Sequence, residues 1–209
     1  AVWVLEADGR FSVGRARNAA EARLEWSLRP ALLVLPVDRE AFDPYAWLAL
    51  AKGRPGVKVL LVLDPDENPA FVRSLLGKGG CGYVERTSDA AALPALLERA
   101  LVGERVEEGE AVCRALADYE AVRQRYAPLL DLFESLSDTA FASLVGPLAG
   151  DSDAETAERL SRVVRSVRDA RSEAKKTLLR AGFTCESVIE AITELRLAEK
   201  TAGRLPALR

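Results

Sequence analysis

The chain contains no histidine among its 209 residues. That absence removes imidazole-activated serine and cysteine nucleophiles, and every histidine metal site. Cysteine is scarce: Cys81, Cys113 and Cys185 stand far apart and are odd in number. This argues against a disulfide framework or a Cys-x-x-Cys knuckle, and buried small hydrophobic side chains are the expectation. Long apolar runs are missing as well. Residues 31–37 and 57–63 fall far short of the ~18 that a membrane helix needs. The opening AVWVLEADGR begins as a strand and carries no basic-then-apolar leader, so a cytoplasmic protein with no membrane partner is expected. There are no paired carboxylates and no glycine-rich loop between a strand and a helix. GKGG at 77–80 stands before a strand, where it cannot cradle phosphate. No enzyme is expected, and therefore no catalytic residue, metal or cofactor.

Hydrophobic residues make up 49% of the chain and charged residues 29%, enough apolar material to exclude disorder throughout. At ~100–200 residues per domain the length allows one large or two small domains. The net charge of −3 is uneven along the chain. Residues 1–104 hold 13 basic and 14 acidic side chains, 105–135 hold 4 and 7, and 136–209 hold 12 and 11. Within 159–180, eight basic residues face only Asp169 and Glu173. Local charge governs contact with phosphate more than the total does, so this segment is the candidate for a nucleic-acid contact.

The first hundred residues alternate short apolar runs with helical patterns. Strands are expected at 31–37, 57–63 and 82–85, the first two buried on both sides, with helices at 18–28, 43–52, 69–78 and 89–102. Such alternation builds a mostly parallel sheet with helices on its faces. At the start, only Asp8, Gly9 and Arg10 separate two strand candidates within 2–16. A parallel crossover needs a dozen or more residues, so Asp-Gly is read as a hairpin and the first crossover helix as missing. Residues 105–126 read as an acidic helix, and everything beyond Pro128 as helical. The expected organisation is an α/β domain at 1–104, a helical linker at 105–133 and an all-α domain at 134–209.

Four fragments in the first part, RPALLVLPV, VKVLLVLD, GKGGCGYVER and ALVGE, resemble the receiver domain of bacterial response regulators. In the last part, LSDTAFASL, LAGDSDAETAERL with its Gly-x-Ser-x-x-Glu-x-Ala, SVRDAR and GFTCESVIEAI resemble the LuxR/NarL helix-turn-helix class. The resemblance implies an atypical response regulator: a flavodoxin-like receiver followed by a helix-turn-helix domain. Its departures are informative. Pro36 stands where the family carries its phosphoacceptor aspartate, and proline offers no nucleophilic oxygen. The family's hydroxyl residue falls on Leu63, its lysine on Arg86, and of its acidic pair only Asp8 remains, too little to hold magnesium. Asp38 is the one rescue candidate. The expectation is a pseudo-receiver without a phosphoacceptor, open to a protein or small-molecule signal.

If 165–180 is a helix, Val167, Ala170, Ala174 and Leu178 form its buried stripe. The resemblance places Arg168, Asp169 and Ser172 at base edges, and Ser166 where the family has threonine. Arg162, Arg165, Arg171 and Lys175 are assigned to phosphates, with Lys176 on the same face. Double-stranded DNA is then the partner and a homodimer the expected state. A second reading fits the same letters. Residues 153–180 contain neither glycine nor proline, so one long coiled-coil helix with a solvated arginine face also satisfies the pattern. On that reading the protein is a signalling adaptor with no DNA contact. The final helix, expected at 186–200 with Val188, Ile189, Ile192 and Leu195 on one stripe, packs within its own domain or against a symmetry mate.

Overall fold

The computed structural model describes residues 12, 14, 21, 30–37, 43–200 and 205. The hairpin at 2–16, the helix at 18–28 (Glu21 apart), Asp8 and Asp38 lie outside the described residues. The chain divides into two compact units: Ala1–Glu67 with Val72–Ala115, and Asn68–Phe71 with Leu116–Arg209.

The first unit is α/β. Its elements are β1 (Leu32–Pro36), α1 (Pro44–Lys52), β2 (Lys58–Leu63), α2 (Pro69–Gly77) from Val72 onward, β3 (Gly82–Glu85), a 3₁₀ turn (Ala90–Ala92), α3 (Leu93–Leu101), β4 (Val106–Glu108) and the start of α4 (Glu110–Arg125). The strands lie in the order β1-β2-β3-β4, and all three pairings are parallel, with Pro36 opposite Val62 and Leu63 opposite Glu85. Helices cross between successive strands because each short β-run is followed by capped helical sequence. Asp43 accepts from the Tyr45 N–H ahead of α1, and Asp89 from Ala91 ahead of the 3₁₀ turn. β3 is buried along its whole length, Leu60, Leu61 and Leu63 of β2 are fully enclosed, and α3 covers the sheet with Leu96, Leu97 and Ala100.

Three expectations fail. β1 is not covered on both faces: Val34 is exposed and only Leu35 is buried within the strand, so one face of β1 lacks a covering element among the described residues. The segment 105–126 is not helical throughout, nor is it a linker from its first residue. Val106–Glu108 pairs in parallel with β3, which extends the sheet past residue 104. Gly82 permits that pairing: a Cβ there would stand 2.0 Å from the Val106 carbonyl oxygen. The cysteines also differ from expectation. Cys81 is half-buried, and burial pushes its thiol up, but Cys113 and Cys185 are exposed in the first turns of their helices.

The second unit is all-helical: the rest of α4, α5 (Ala127–Ser135), α6 (Asp138–Val145), a 3₁₀ turn (Gly146–Ala149), α7 (Asp153–Arg159), α8 (Val164–Arg180) and α9 (Cys185–Glu194). Leu129, Leu130 and Phe133 of α5, Leu144 of α6, Ala174 and Leu178 of α8, and Val188, Ala191 and Ile192 of α9 share one core. The final helix thus buries Val188, Ile192 and the following Leu195 in its own unit, leaving Ile189 outside. No helix among the described residues is long and apolar enough to cross a membrane.

Candidate nucleic-acid interface

The Gly-x-Ser-x-x-Glu fragment is a helix start. Ser152 Oγ accepts from the Glu155 N–H at 3.2 Å, and Glu155 Oε2 accepts from the Ser152 N–H at 2.7 Å, closing a capping box at the head of α7. The bonds from Ser152 hold the Glu155 carboxyl below its usual range. α7 ends after two turns at Ser161, whose φ of 52° is left-handed. Ser161 N–H donates to the Glu158 carbonyl at 3.0 Å and Arg162 N–H to Ala157 at 2.8 Å, the paired bonds of a Schellman termination. The chain reverses there and α8 begins at Val164. Residues 153–180 are therefore two helices, and the single long coiled-coil helix is excluded.

α8 packs on α6 and α7 through Val167, Ala174 and Leu178, with Ala170 half-buried beside them. Its other face presents Arg165, Ser166, Arg168, Asp169, Ser172, Lys175 and Lys176 to solvent, with Arg162 exposed in the preceding turn. The geometry brings all of these onto one basic surface. Arg171 departs from its phosphate assignment. Its Nε donates to the Ser143 carbonyl at 2.6 Å and its terminal nitrogen to Asp153 Oδ1 at 2.5 Å, so the side chain lies half-buried between α6 and α7. It holds the helices together instead of reaching outward.

Asp153, which the sequence reading passed over, organises this surface. Its other oxygen accepts from Arg168 Nε at 2.7 Å, and the two arginines together hold its carboxyl below the usual range, Arg168 contributing most. Arg165 approaches Asp169 at 3.8 Å, and Lys176 and Arg180 approach Glu173 at 3.5 and 3.8 Å. Arg162 and Lys175 make no side-chain ion pair among the described residues. Exposed pairs of this kind contribute ~0–1 kcal/mol each and exchange readily for phosphate. Behind the surface, Asp151 sits at 5% side-chain exposure against Arg159 at 2.6 Å and Lys200. Burial pushes this carboxyl up, but Lys200 and Arg159 outweigh it and hold it below its usual range.

At the carboxyl ends of the strands in the first unit, Pro36 closes β1 with no side-chain oxygen, and Leu63 is fully buried. Arg86 Nε donates to Asp64 Oδ1 at 2.7 Å, so this cation is matched by a carboxylate following β2. Next to it, buried Glu85 turns to the head of α4. Its Oε2 accepts from the N–H groups of Ala111 and Val112 at 3.2 and 3.4 Å, and Thr87 donates to its other oxygen at 2.5 Å. Tyr83, two residues earlier, places its hydroxyl 2.9 Å from Cys113 Sγ, and burial together with that contact pushes the phenol up. Both side chains fasten the first turn of α4 to β3. No group of His, Cys, Asp and Glu suited to a metal ion occurs among the described residues.

No protein-family profile matches the chain, and no curated protein matches it. Solved structures do. RcsB from Salmonella enterica serovar Typhimurium, bound to a promoter in the presence of a phosphomimetic, is 16% identical, with a TM-score of 0.50 over 93% of each chain. Full-length FixJ from B. japonicum is 18% identical, with a TM-score of 0.40 over 93% of this chain and 89% of its own. ChrA, the response regulator of a heme-sensing two-component system, is 18% identical, with a TM-score of 0.37 over 79% of this chain and 76% of its own. At this identity the likeness to RcsB is one of fold: a receiver-like α/β unit followed by a helical unit.

Proposed function

We propose that this protein is a DNA-binding transcriptional regulator of the response-regulator type, whose receiver-like unit works without phosphorylation and whose active state is a homodimer. One observation carries the reading. A short capped helix and a tight left-handed turn set α8 on the helical core by its apolar stripe, leaving a basic, hydrogen-bonding face outward. A recognition helix requires that arrangement, since cations grip phosphate while side chains along the same face meet base edges. Arg168, Asp169 and Ser172 are the base-edge candidates, and Arg162, Arg165, Lys175 and Lys176 the phosphate candidates. Pro36 supports the absence of phosphoryl transfer, because the strand end has no acceptor atom there. The receiver-like unit then serves dimerisation or the docking of another signal.

One observation favours a second reading, a signalling adaptor with no DNA contact: several exposed cations of the basic face already have carboxylate neighbours. A mobility shift of the full chain on genomic fragments at two salt concentrations separates the two. Regulator function predicts retarded fragments and an affinity falling steeply with salt. No retardation at low salt would leave the adaptor.

A further inference from the structure

We infer that the helical unit carries a binding site for a small amphipathic acid, seated beneath the carboxyl-terminal half of α8. A cleft of about 210 Å³ opens between α6 with its following 3₁₀ turn, α8 and α9. Leu144, Leu148, Leu178, Leu179 and Ile189 are among the side chains that wall it. Three of these, Leu148, Leu179 and Ile189, remain 43%, 56% and 47% exposed, although the unit has a well-filled core elsewhere. They form an apolar rim that no side chain among the described residues covers.

The rim carries two cations, Arg171 and Lys175. Arg171 is already committed to Ser143 and Asp153. Lys175 is exposed, has no ion pair among the described residues, and stands one helical turn from Leu178 and Leu179. An apolar cleft with one uncommitted ammonium at its mouth is complementary to an apolar chain or ring ending in a carboxylate. The size narrows the class. Sites for drug-sized ligands run to ~300–1,000 Å³, so this cleft suits a medium-chain aliphatic or single-ring aromatic acid. The carboxylate would pair with Lys175, which the regulator reading assigns to a DNA phosphate. That coupling rests on the proposed function: ligand and DNA would compete for one ammonium group, and the acid would act as a release signal.

The experiment is calorimetric titration of the full chain with octanoate and, separately, octanol. Octanoate is expected to bind up to about fivefold more tightly than octanol, the scale of an exposed ion pair. Lys175→Gln should erase the difference, and Leu179→Asp, at an exposed wall position, should abolish octanoate binding without unfolding the chain. Absence of octanoate binding, or binding unchanged in both variants, overturns the site. For wild-type protein that binds DNA, octanoate should weaken that binding severalfold and lower the salt slope by about one. Octanoate binding that leaves DNA affinity unchanged overturns the competition. Octanoate binding to a chain that retards no DNA upholds the site and sinks the regulator reading.

Discussion

Gly109 lies directly against Glu85: a Cβ built on Gly109 would stand 2.3 Å from Glu85 Cβ and 2.6 Å from its Oε2. With a φ of 131°, Gly109 lets the chain fold back from β4 so that the Glu85 carboxylate reaches the unpaired N–H groups at the head of α4. Gly109→Ala meets both the clash and the left-handed backbone. It should cost more than about 1 kcal/mol, read as a lowered Tm in thermal melts. Glu85→Ala removes the cap without the clash and should cost about 0.5–2 kcal/mol. A Gly109→Ala chain as stable as wild type would show that α4 does not depend on this contact.

Ser161 holds a conformation that costs a side-chain-bearing residue roughly 1–2 kcal/mol. Ser161→Gly should relieve part of that and raise the Tm. Ser161→Val should lower it, because a branched Cβ tolerates a positive φ least. Equal melting temperatures for the two variants would contradict the reversed turn between α7 and α8.

Arg171 and Lys175 separate structure from binding. Arg171→Ala removes charge-assisted bonds to the Ser143 carbonyl and Asp153, and should destabilise by about 1.5–3 kcal/mol. Lys175→Ala should leave the Tm unchanged and, under the regulator reading, weaken DNA binding uniformly across sequences while lowering the salt slope by about one. Denaturation curves and filter binding on both variants distinguish the roles.

Asp153 has its carboxyl depressed in the folded chain, chiefly by Arg168 and then Arg171. The unfolded chain therefore takes up this proton more readily. The stabilisation is present above the unfolded carboxylate value of about 3.9 and is lost as the pH falls through the lower folded value. Asp153→Asn should lower the Tm at neutral pH and flatten the acid limb of the stability profile. Asp151→Asn should do the same, because Lys200 and Arg159 overcome the upward push of burial there. An acid limb unchanged in both variants would rule the pair out as its source.

Pro36 makes a simple chemical prediction. Incubation with acetyl phosphate should add no phosphoryl mass to the intact protein, because β1 ends without a nucleophilic oxygen. A gain of one phosphoryl group would place an acceptor elsewhere in the chain.

The parts of this fold readable from sequence are those whose forces act locally. The stripe of Val167, Ala174 and Leu178 follows helical spacing, and α8 buries those three residues. The run that became β2 is largely apolar, and both it and the short β3 run are bounded by turn residues. β4 escaped notice because Val106–Glu108 has one buried apolar residue and two glutamates, so its strand character comes from pairing with β3 beside Gly82. The break between α7 and α8 was illegible because its left-handed residue is serine, which advertises no turn as glycine does. The inward turn of Arg171 depends on Asp153, 18 positions away, and on a backbone carbonyl 28 positions away. No local pattern encodes either partner.

β4 has a further consequence. An open β3 edge would offer a row of unpaired backbone groups to a strand from another molecule. Instead the sheet ends, among the described residues, in a three-residue strand bearing Glu107 and Glu108. A second molecule adding there would gain very few backbone bonds and would set carboxylates against carboxylates. The three-residue strand thus works as a guard on the sheet, closing that side to fibre-like growth when the protein is crowded.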